Sequence, residues 1–580
     1  MKYLTDYQLA YDSGRDPEVV LRQVWETIRD EPDEGIFITK ASWECVADQL
    51  SKANRQGPLF GIPYAVKDNI DVAQMPTTAA CPAFAYVPEQ SAKVVDLLQQ
   101  AGAICMGKTN LDQFATGLVG IRTPYPIPKN PIAQEYLPGG SSAGSAVALA
   151  KQLVAFSLGT DTAGSGRVPA AFQELVGLKP SCGYLSTRGV VDACKSLDCV
   201  SIFAHSARDA AAVLEVAAQF DADEAWSRRP PIAWPRIGKT FRFGVPKPDA
   251  LQYFGWENAD LLFQQAIEKW IALGGEPVTV DIAPFMEAAK LLYQGPWIAE
   301  RFVALEEFFS TNIDDVFPVT RDIILTGSKP SAADFFRAQY QLAECKRLAM
   351  QEIEQVDFIL MPTTPRNFLV SEVQADPIRL NSILGTYTNF MNLLDFSALA
   401  LPAGRYDGKL PWGVTIFGKA GMDMALLELG ARFDELENAA GFWNHVSWDQ
   451  VRLLVFGAHM SGLPLNHQLT SRGGRYEGTF QTADCYRMAL IPPVGALPPR
   501  PAVYRVESGS GRSMECEQWS LSIGAFGEFV KMIPAPLGIG KIVLSDGTES
   551  CGFISEAHAC HGANDLTEFG GWRNYLKSIG

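Results

Sequence analysis

Residues 138–170 read PGGSSAGSAVALAKQLVAFSLGTDTAGSGRVPA. Two loops rich in Gly and Ser flank one apolar helix. The first opens that helix at Ser141-Ser142, and the second, GTDTAGSG, follows the next turn and strand. Such loops offer backbone N–H groups unobstructed by side chains, which suits an oxyanion hole as well as a phosphate. A phosphate loop needs the pattern G-x-x-x-x-G-K-[ST], and neither loop has it. Either loop alone could be a mere tight turn; two together, downstream of Lys67, weigh against that reading. A serine hydroxyl is a poor nucleophile without a base, and no His occurs in residues 1–200. A lysine serves instead only if it is neutral, which burial favours by penalising the charged form.

Outward from this stretch, short apolar strands alternate with helical patterns. Residues 16–29 place Val20, Val24 and Ile28 at helical spacing behind an acidic residue and a Pro. Residues 58–72 read as a turn and a β segment carrying Lys67. Residues 91–101 read as a helix, AICMGKTN as a buried strand and 111–116 as a helix start. Helical patterns recur at 210–219, 257–273 and 331–354, with strands in DFILMPTTP and FSALALPAG. The alternation predicts an α/β domain on a largely buried sheet. Past 445 the chain is strand-rich and punctuated by Gly and Pro, which predicts domains at 1–445 and 446–580.

The 580 residues carry 49 Lys+Arg against 65 Asp+Glu, a net charge of −16. Residues 451–580 hold 11 of each, so the whole excess lies in the first 450. This acidity speaks against a nucleic-acid-binding surface. No apolar run reaches membrane-spanning length and no export signal opens the chain. Eleven Cys, odd in number and without C-x-x-C spacing, read as reduced thiols of a cytoplasmic protein. His558, Cys560 and His561 lack a fourth ligand at zinc-like spacing, so no metal is expected.

The central stretch resembles the amidase signature family, whose loops read GGSS[AGS]GS and D-x-[AG]-G-S-x-R-x-P. Gly139, Gly140, Ser141, Ser142, Gly144 and Ser145 match the first loop. Asp161, Gly164, Ser165, Arg167 and Pro169 match the second. Gly61, Pro63, Lys67, Asp68 and Asn69 match the family's lysine segment, G-[IV]-P-x-x-x-K-D-N. The resemblance implies a mixed sheet covered by helices, Lys67 as base, Ser141 as proton relay behind a cis peptide, and Ser165 as nucleophile, without a cofactor. It also implies an oxyanion hole from the N–H groups of Thr162, Ala163, Gly164 and Ser165. Simpler roles compete: Lys67 as a surface lysine, Ser142 as a helix cap, and Arg167 as a structural ion pair with Asp161. The last is the role expected of Arg167.

Within that family the chain resembles the allophanate hydrolases. SGRVPAAF, the segment 186–204 and YQGPWIAER, with Tyr293 eight residues before Arg301, carry the likeness. So does the opening of the second domain, Gly457, Ala458, His459, Met460 and Gly462. The implied substrate is allophanate, a small anion held by Arg301 through its carboxylate and by the Tyr293 hydroxyl. The first domain would release ammonia and N-carboxycarbamate. The second, an α+β domain resembling the γ-glutamyl cyclotransferase-like fold, would decarboxylate that product with His459 as base. A homodimer and coupling to a urea carboxylase are implied as well. Rival readings are an amidase for another small carboxylate-bearing amide such as malonamate, the glutaminase subunit of a tRNA-dependent amidotransferase, or a non-catalytic scaffold. Pro126 stands where the family has Gly and Asp192 where it has Pro, so the loops over the pocket are expected to differ.

Overall fold

The computed structural model describes residues 1–231, 234–256, 258–435, 450–470, 472, 474–492, 499–560 and 562–579. The described residues fall into two compact units, Met1–Pro230 with Arg236–Phe442, and Pro231–Pro235 with Trp443–Gly580. The boundary expected near 445 lies outside the described residues, as does His561.

The first unit is built on eleven strands: β1 Phe37–Lys40, β2 Pro63–Lys67, β3 Ile104–Thr109, β4 Phe156–Asp161, β5 Val176–Lys179, β6 Cys199–Ala204, β7 Phe241–Pro246, β8 Gly275–Val280, β9 Phe358–Pro362, β10 Phe396–Tyr406 and β11 Leu410–Lys419. They form one sheet in the order β1-β3-β2-β4-β6-β5-β10-β11-β9-β7-β8. Parallel pairs lie toward both ends, β3-β2-β4 and β9-β7-β8, and the strands between them pair antiparallel. Every residue of β2 to β6 is buried, polar ones included. That explains why these strands read as continuous apolar runs rather than alternating ones.

The helices follow their local signals. Pro17–Arg29 starts behind Asp16, whose carboxylate accepts from the Glu18 N–H at 2.9 Å. The patterns near 91–101, 210–219, 257–273 and 331–354 become Lys93–Gln100, Ala207–Ala217, Ala259–Ala272 and Ala332–Ile353. The helix start expected at 111–116 is only a 3₁₀ turn, Gln113–Ala115, with Phe114 and Ala115 at φ 51° and 52°. Left-handed residues cannot propagate a right-handed helix. Here they turn the chain back, and the Gln113 N–H donates to the Arg122 carbonyl at 2.7 Å.

The second unit holds β12 Gln450–Val455, β13 Arg475–Gln481, β14 Tyr486–Ile491, β15 Arg500–Arg505, β16 Glu515–Ser522, β17 Leu537–Val543 and β18 Glu549–Ser555. Five of them form a sheet ordered β13-β16-β12-β18-β17, and β14 pairs with β15. Leu453, Val455, Met460, Met488, Trp519 and Phe529 contribute to its own apolar core. Among the described residues, no helix of the chain is long and apolar enough to cross a membrane.

Gly144 shows how tightly the first unit closes around helix Ala143–Ala150. A Cβ there would lie 2.3 Å from the Ile36 carbonyl oxygen and 2.6 Å from the Asn110 nitrogen, both backbone atoms. Gly144→Ala should therefore destabilise the unit by about 1–3 kcal/mol, read as a lower urea midpoint with unchanged slope.

Candidate active site

Lys67 is the last residue of β2, and β2 lies parallel to β4, so the lysine reaches the end of β4 where the second loop begins. It is fully buried. Its Nζ donates to the Ser141 Oγ at 2.7 Å and to the Thr160 Oγ1 at 2.7 Å. Burial pulls its pKa down from 10.5 to about 7, against the opposing pull of Asp112, Asp198 and Asp161, and Arg301 lowers it further. The surface-lysine role is thereby excluded.

Ser141 follows a cis peptide from Gly140. Asp112 braces this loop from outside: its N–H donates to the Ser141 carbonyl at 3.0 Å. Its carboxylate accepts from the N–H groups of Val119, Gly120 and Arg122. Ser142 occupies the position before helix Ala143–Ala150 but makes no cap; its hydroxyl donates to the Thr160 carbonyl at 3.2 Å.

The second loop is organised by Asp161, the last residue of β4. Its carboxylate accepts from the Gly164 N–H at 2.8 Å, the Gly166 N–H at 3.0 Å and the Arg167 guanidinium at 2.8 and 2.9 Å. Burial by itself would raise the Asp161 pKa, yet the Arg167 charge and hydrogen bonds hold it below the usual range. The pair is the structural ion pair expected of these residues, and both side chains are wholly buried.

One feature of the expected oxyanion hole changes: the Gly164 N–H is committed to Asp161 because this turn folds back on that carboxylate. Among the described residues no acceptor is found for the N–H groups of Thr162, Ala163 and Ser165. The Ser165 hydroxyl donates to the Gly117 carbonyl at 3.4 Å, and no hydrogen bond joins it to Ser141.

Tyr293 and Arg301, paired by the resemblance, lie close together. The Arg301 guanidinium carbon lies 5.7 Å from the centre of the Tyr293 ring. Tyr293 packs on the apolar cluster that contains Ala163 of the second loop. Arg301 is 3% exposed, and its Nη1 donates to the Thr116 Oγ1 at 3.1 Å and the Ala115 carbonyl at 3.4 Å. Its helix, Ile298–Asn312, is tied down by Glu300, which accepts from the Ser196 N–H at 2.6 Å.

Asp198, Thr160 and Asp112 do not stand out in the sequence. Asp198 accepts from the Thr162 hydroxyl and from the N–H groups of Ala193 and Cys194, and burial raises its pKa to about 6. Thr160 was discoverable as the residue beside the Asp161 motif position; Asp112 carries no local signal. As for the two departures, the Pro126 carbonyl accepts from Asn110 at 2.9 Å, and Asp192 pairs with Lys195 at 3.2 Å.

In the second unit, no metal-binding group of side chains includes His459 among the described residues. Its Nε2 lies 3.0 Å from the Gln468 Oε1, and its ring stacks on Phe553 and meets Phe529 edge-on. Burial lowers its pKa, against the opposing pull of the Gln468 hydrogen bond.

Known proteins align with this arrangement. The amidase family matches residues 34–427, and the allophanate hydrolase C-terminal domain matches 451–577. The chain belongs to the amidase family. Its second unit gives it the two-part make-up of the allophanate hydrolases. The solved Kluyveromyces lactis allophanate hydrolase superposes with a TM-score of 0.78 at 37% identity, over 100% of this chain and 99% of that one. The urea amidolyase of Lachancea kluyveri is 42% identical over 91% of this chain and 30% of its own length. The chain thus spans about a third of the curated relatives it matches first. A glutamyl-tRNA(Gln) amidotransferase subunit of Legionella pneumophila is 33% identical over 68% of this chain and 87% of that protein.

Removing one member of a wholly buried ion pair leaves the other uncompensated, at about 3–5 kcal/mol. Arg167→Met should lower stability by that order in chemical denaturation.

Proposed function

We propose that the first unit hydrolyses allophanate to ammonia and N-carboxycarbamate through an acyl-enzyme. The observation that carries the chemistry is the buried Lys67 amine, poised near pH 7 on the Ser141 hydroxyl. Neutral Lys67 takes a proton through Ser141 as the Ser165 oxygen attacks the amide carbon. For this the Ser165 hydroxyl turns from the Gly117 carbonyl toward Ser141; such bonds often tighten only with substrate bound. The N–H groups of Thr162, Ala163 and Ser165 stabilise the oxyanion, and the same proton returns to the leaving ammonia. Water then releases N-carboxycarbamate by the reverse relay.

Arg301 supports an anionic substrate. A buried guanidinium whose acceptors are a neutral hydroxyl and a carbonyl favours a carboxylate, which it can grip with two hydrogen bonds. Allophanate offers that carboxylate beside its amide, whereas glutamine, the substrate of the rival amidotransferase reading, is longer and zwitterionic. The match of the second unit to the allophanate hydrolase C-terminal domain weighs the same way. That unit decarboxylates N-carboxycarbamate, with His459 moving the proton. A homodimer, a cytoplasmic location and coupling to a urea carboxylase belong to the same reading; the urea amidolyases, over three times as long as their match to this chain, support the coupling.

Ammonia release from fresh allophanate, beside glutamine and malonamate, tests the substrate. Ser165→Ala should abolish it, and turnover of glutamine in place of allophanate would overturn the reading. Arg301→Gln should raise KM for allophanate at least tenfold more than for an uncharged amide. The rate should also fall on acidification through about pH 7, where Lys67 gains its proton. Because the Arg301 charge lowers the Lys67 pKa, Arg301→Gln should move this limb to higher pH with the uncharged amide.

A further inference from the structure

Arg500 opens β15 in the second unit and is 6% exposed. Its Nε and Nη1 are buried, and neither has a hydrogen-bond partner among the described residues. Burial can bring a lysine's pKa down toward neutrality, as at Lys67, but a guanidinium keeps its charge. A buried guanidinium with two N–H groups left unpartnered is unfavourable until an acceptor reaches them.

Arg500 lines the same small cavity as His459, about 30 Å³ in volume, with Gly457 and Phe553 among its walls. That volume holds about two water molecules, which is the footprint of the two oxygens of a carboxylate. Gly457 accounts for the closeness of the two segments. A Cβ on it would lie 2.6 Å from the Pro501 Cδ, so only a glycine lets the start of β15 rest on the turn that carries His459.

We propose that Arg500 anchors a second small-carboxylate site, in which a planar carboxylate or carbamate group sits on the guanidinium beside the His459 imidazole. The identity of the natural anion as N-carboxycarbamate rests on the function proposed above; the binding of a carboxylate does not. Arg301 in the first unit and Arg500 in the second then do the same job for successive anions of one reaction sequence.

Malonate, with two carboxylates on one central atom as in N-carboxycarbamate, is the probe. The full chain labelled with ¹³C at His Cε1 gives six imidazole signals at most, and His459→Gln identifies the one to follow. Malonate should shift that signal saturably, and should still do so in Arg301→Gln, which weakens the first site. Arg500→Gln should raise the malonate Kd at His459 at least about tenfold, with Arg500→Lys recovering part of it. Gly457→Ala, which keeps the Arg500 charge but displaces Pro501, should weaken binding too, and it serves if Arg500→Gln lowers Tm. A His459 signal that malonate leaves in place, or a Kd unchanged in Arg500→Gln and Gly457→Ala, overturns the proposal. On labelled allophanate, Arg500→Gln should keep the first ammonia release while N-carboxycarbamate persists longer than with the unaltered chain. Should malonate bind through Arg500 while the unaltered chain leaves the lifetime of N-carboxycarbamate unchanged, the anchor stands and the decarboxylation reading fails.

Discussion

An ammonium taken out of water at the end of a buried strand gives up its proton near neutrality unless a carboxylate holds it. Lys67 meets that condition because the groups touching its nitrogen are hydroxyls, Ser141 and Thr160. Three carboxylates lie near enough to act on it, Asp112, Asp198 and Asp161. Each is already engaged: Asp112 by the backbone around Gly120, Asp161 by Arg167 and its own turn, Asp198 by Thr162 and the segment at 193–194. The carboxylates shape the loops and the hydroxyls serve the lysine. Were one of those acids free to contact Nζ, the lysine would stay charged and could not act as a base.

Arginine plays different parts within the same chain, and the hydrogen-bond partners separate them. Arg167 is buried with a bidentate carboxylate, so its charge is answered inside the fold and it holds a loop. Arg301 is equally buried but donates to a hydroxyl and a carbonyl, and Asp198 and Glu300 act on it without a hydrogen bond, so no carboxylate grips its guanidinium as Asp161 grips Arg167. Residue type and burial alone do not distinguish a structural arginine from a binding one; the partners do. The same criterion sets Arg500 apart.

Much of the site was legible because its chemistry is packed into short runs. The two loops of 138–170 and the segment 61–69 point to Lys67, Ser141 and Ser165 without knowledge of any contact. Tyr293, in the last turn of helix Ala283–Gln294, and Arg301, in the first turn of helix Ile298–Asn312, lie within reach of each other because only a short turn separates the two helices. The helix start at 111–116 was not legible: its apolar residues suit a helix, but a left-handed backbone at Phe114 and Ala115 is a tertiary demand. Nor was the engagement of the Gly164 N–H, which depends on how the turn curls back on Asp161.

What the sequence by itself determined is the set of candidate reacting groups and the buried character of the strands that carry them, since both are written in local runs of residue types. What only the tertiary structure decided is which of those groups are electrically answered. Neighbours such as Thr160 for Lys67, 93 residues apart, or Asp198 for Thr162, 36 apart, meet only across paired strands and loops. A pKa is set by such neighbours and by exclusion of water, and neither is a property of a residue's place in the chain.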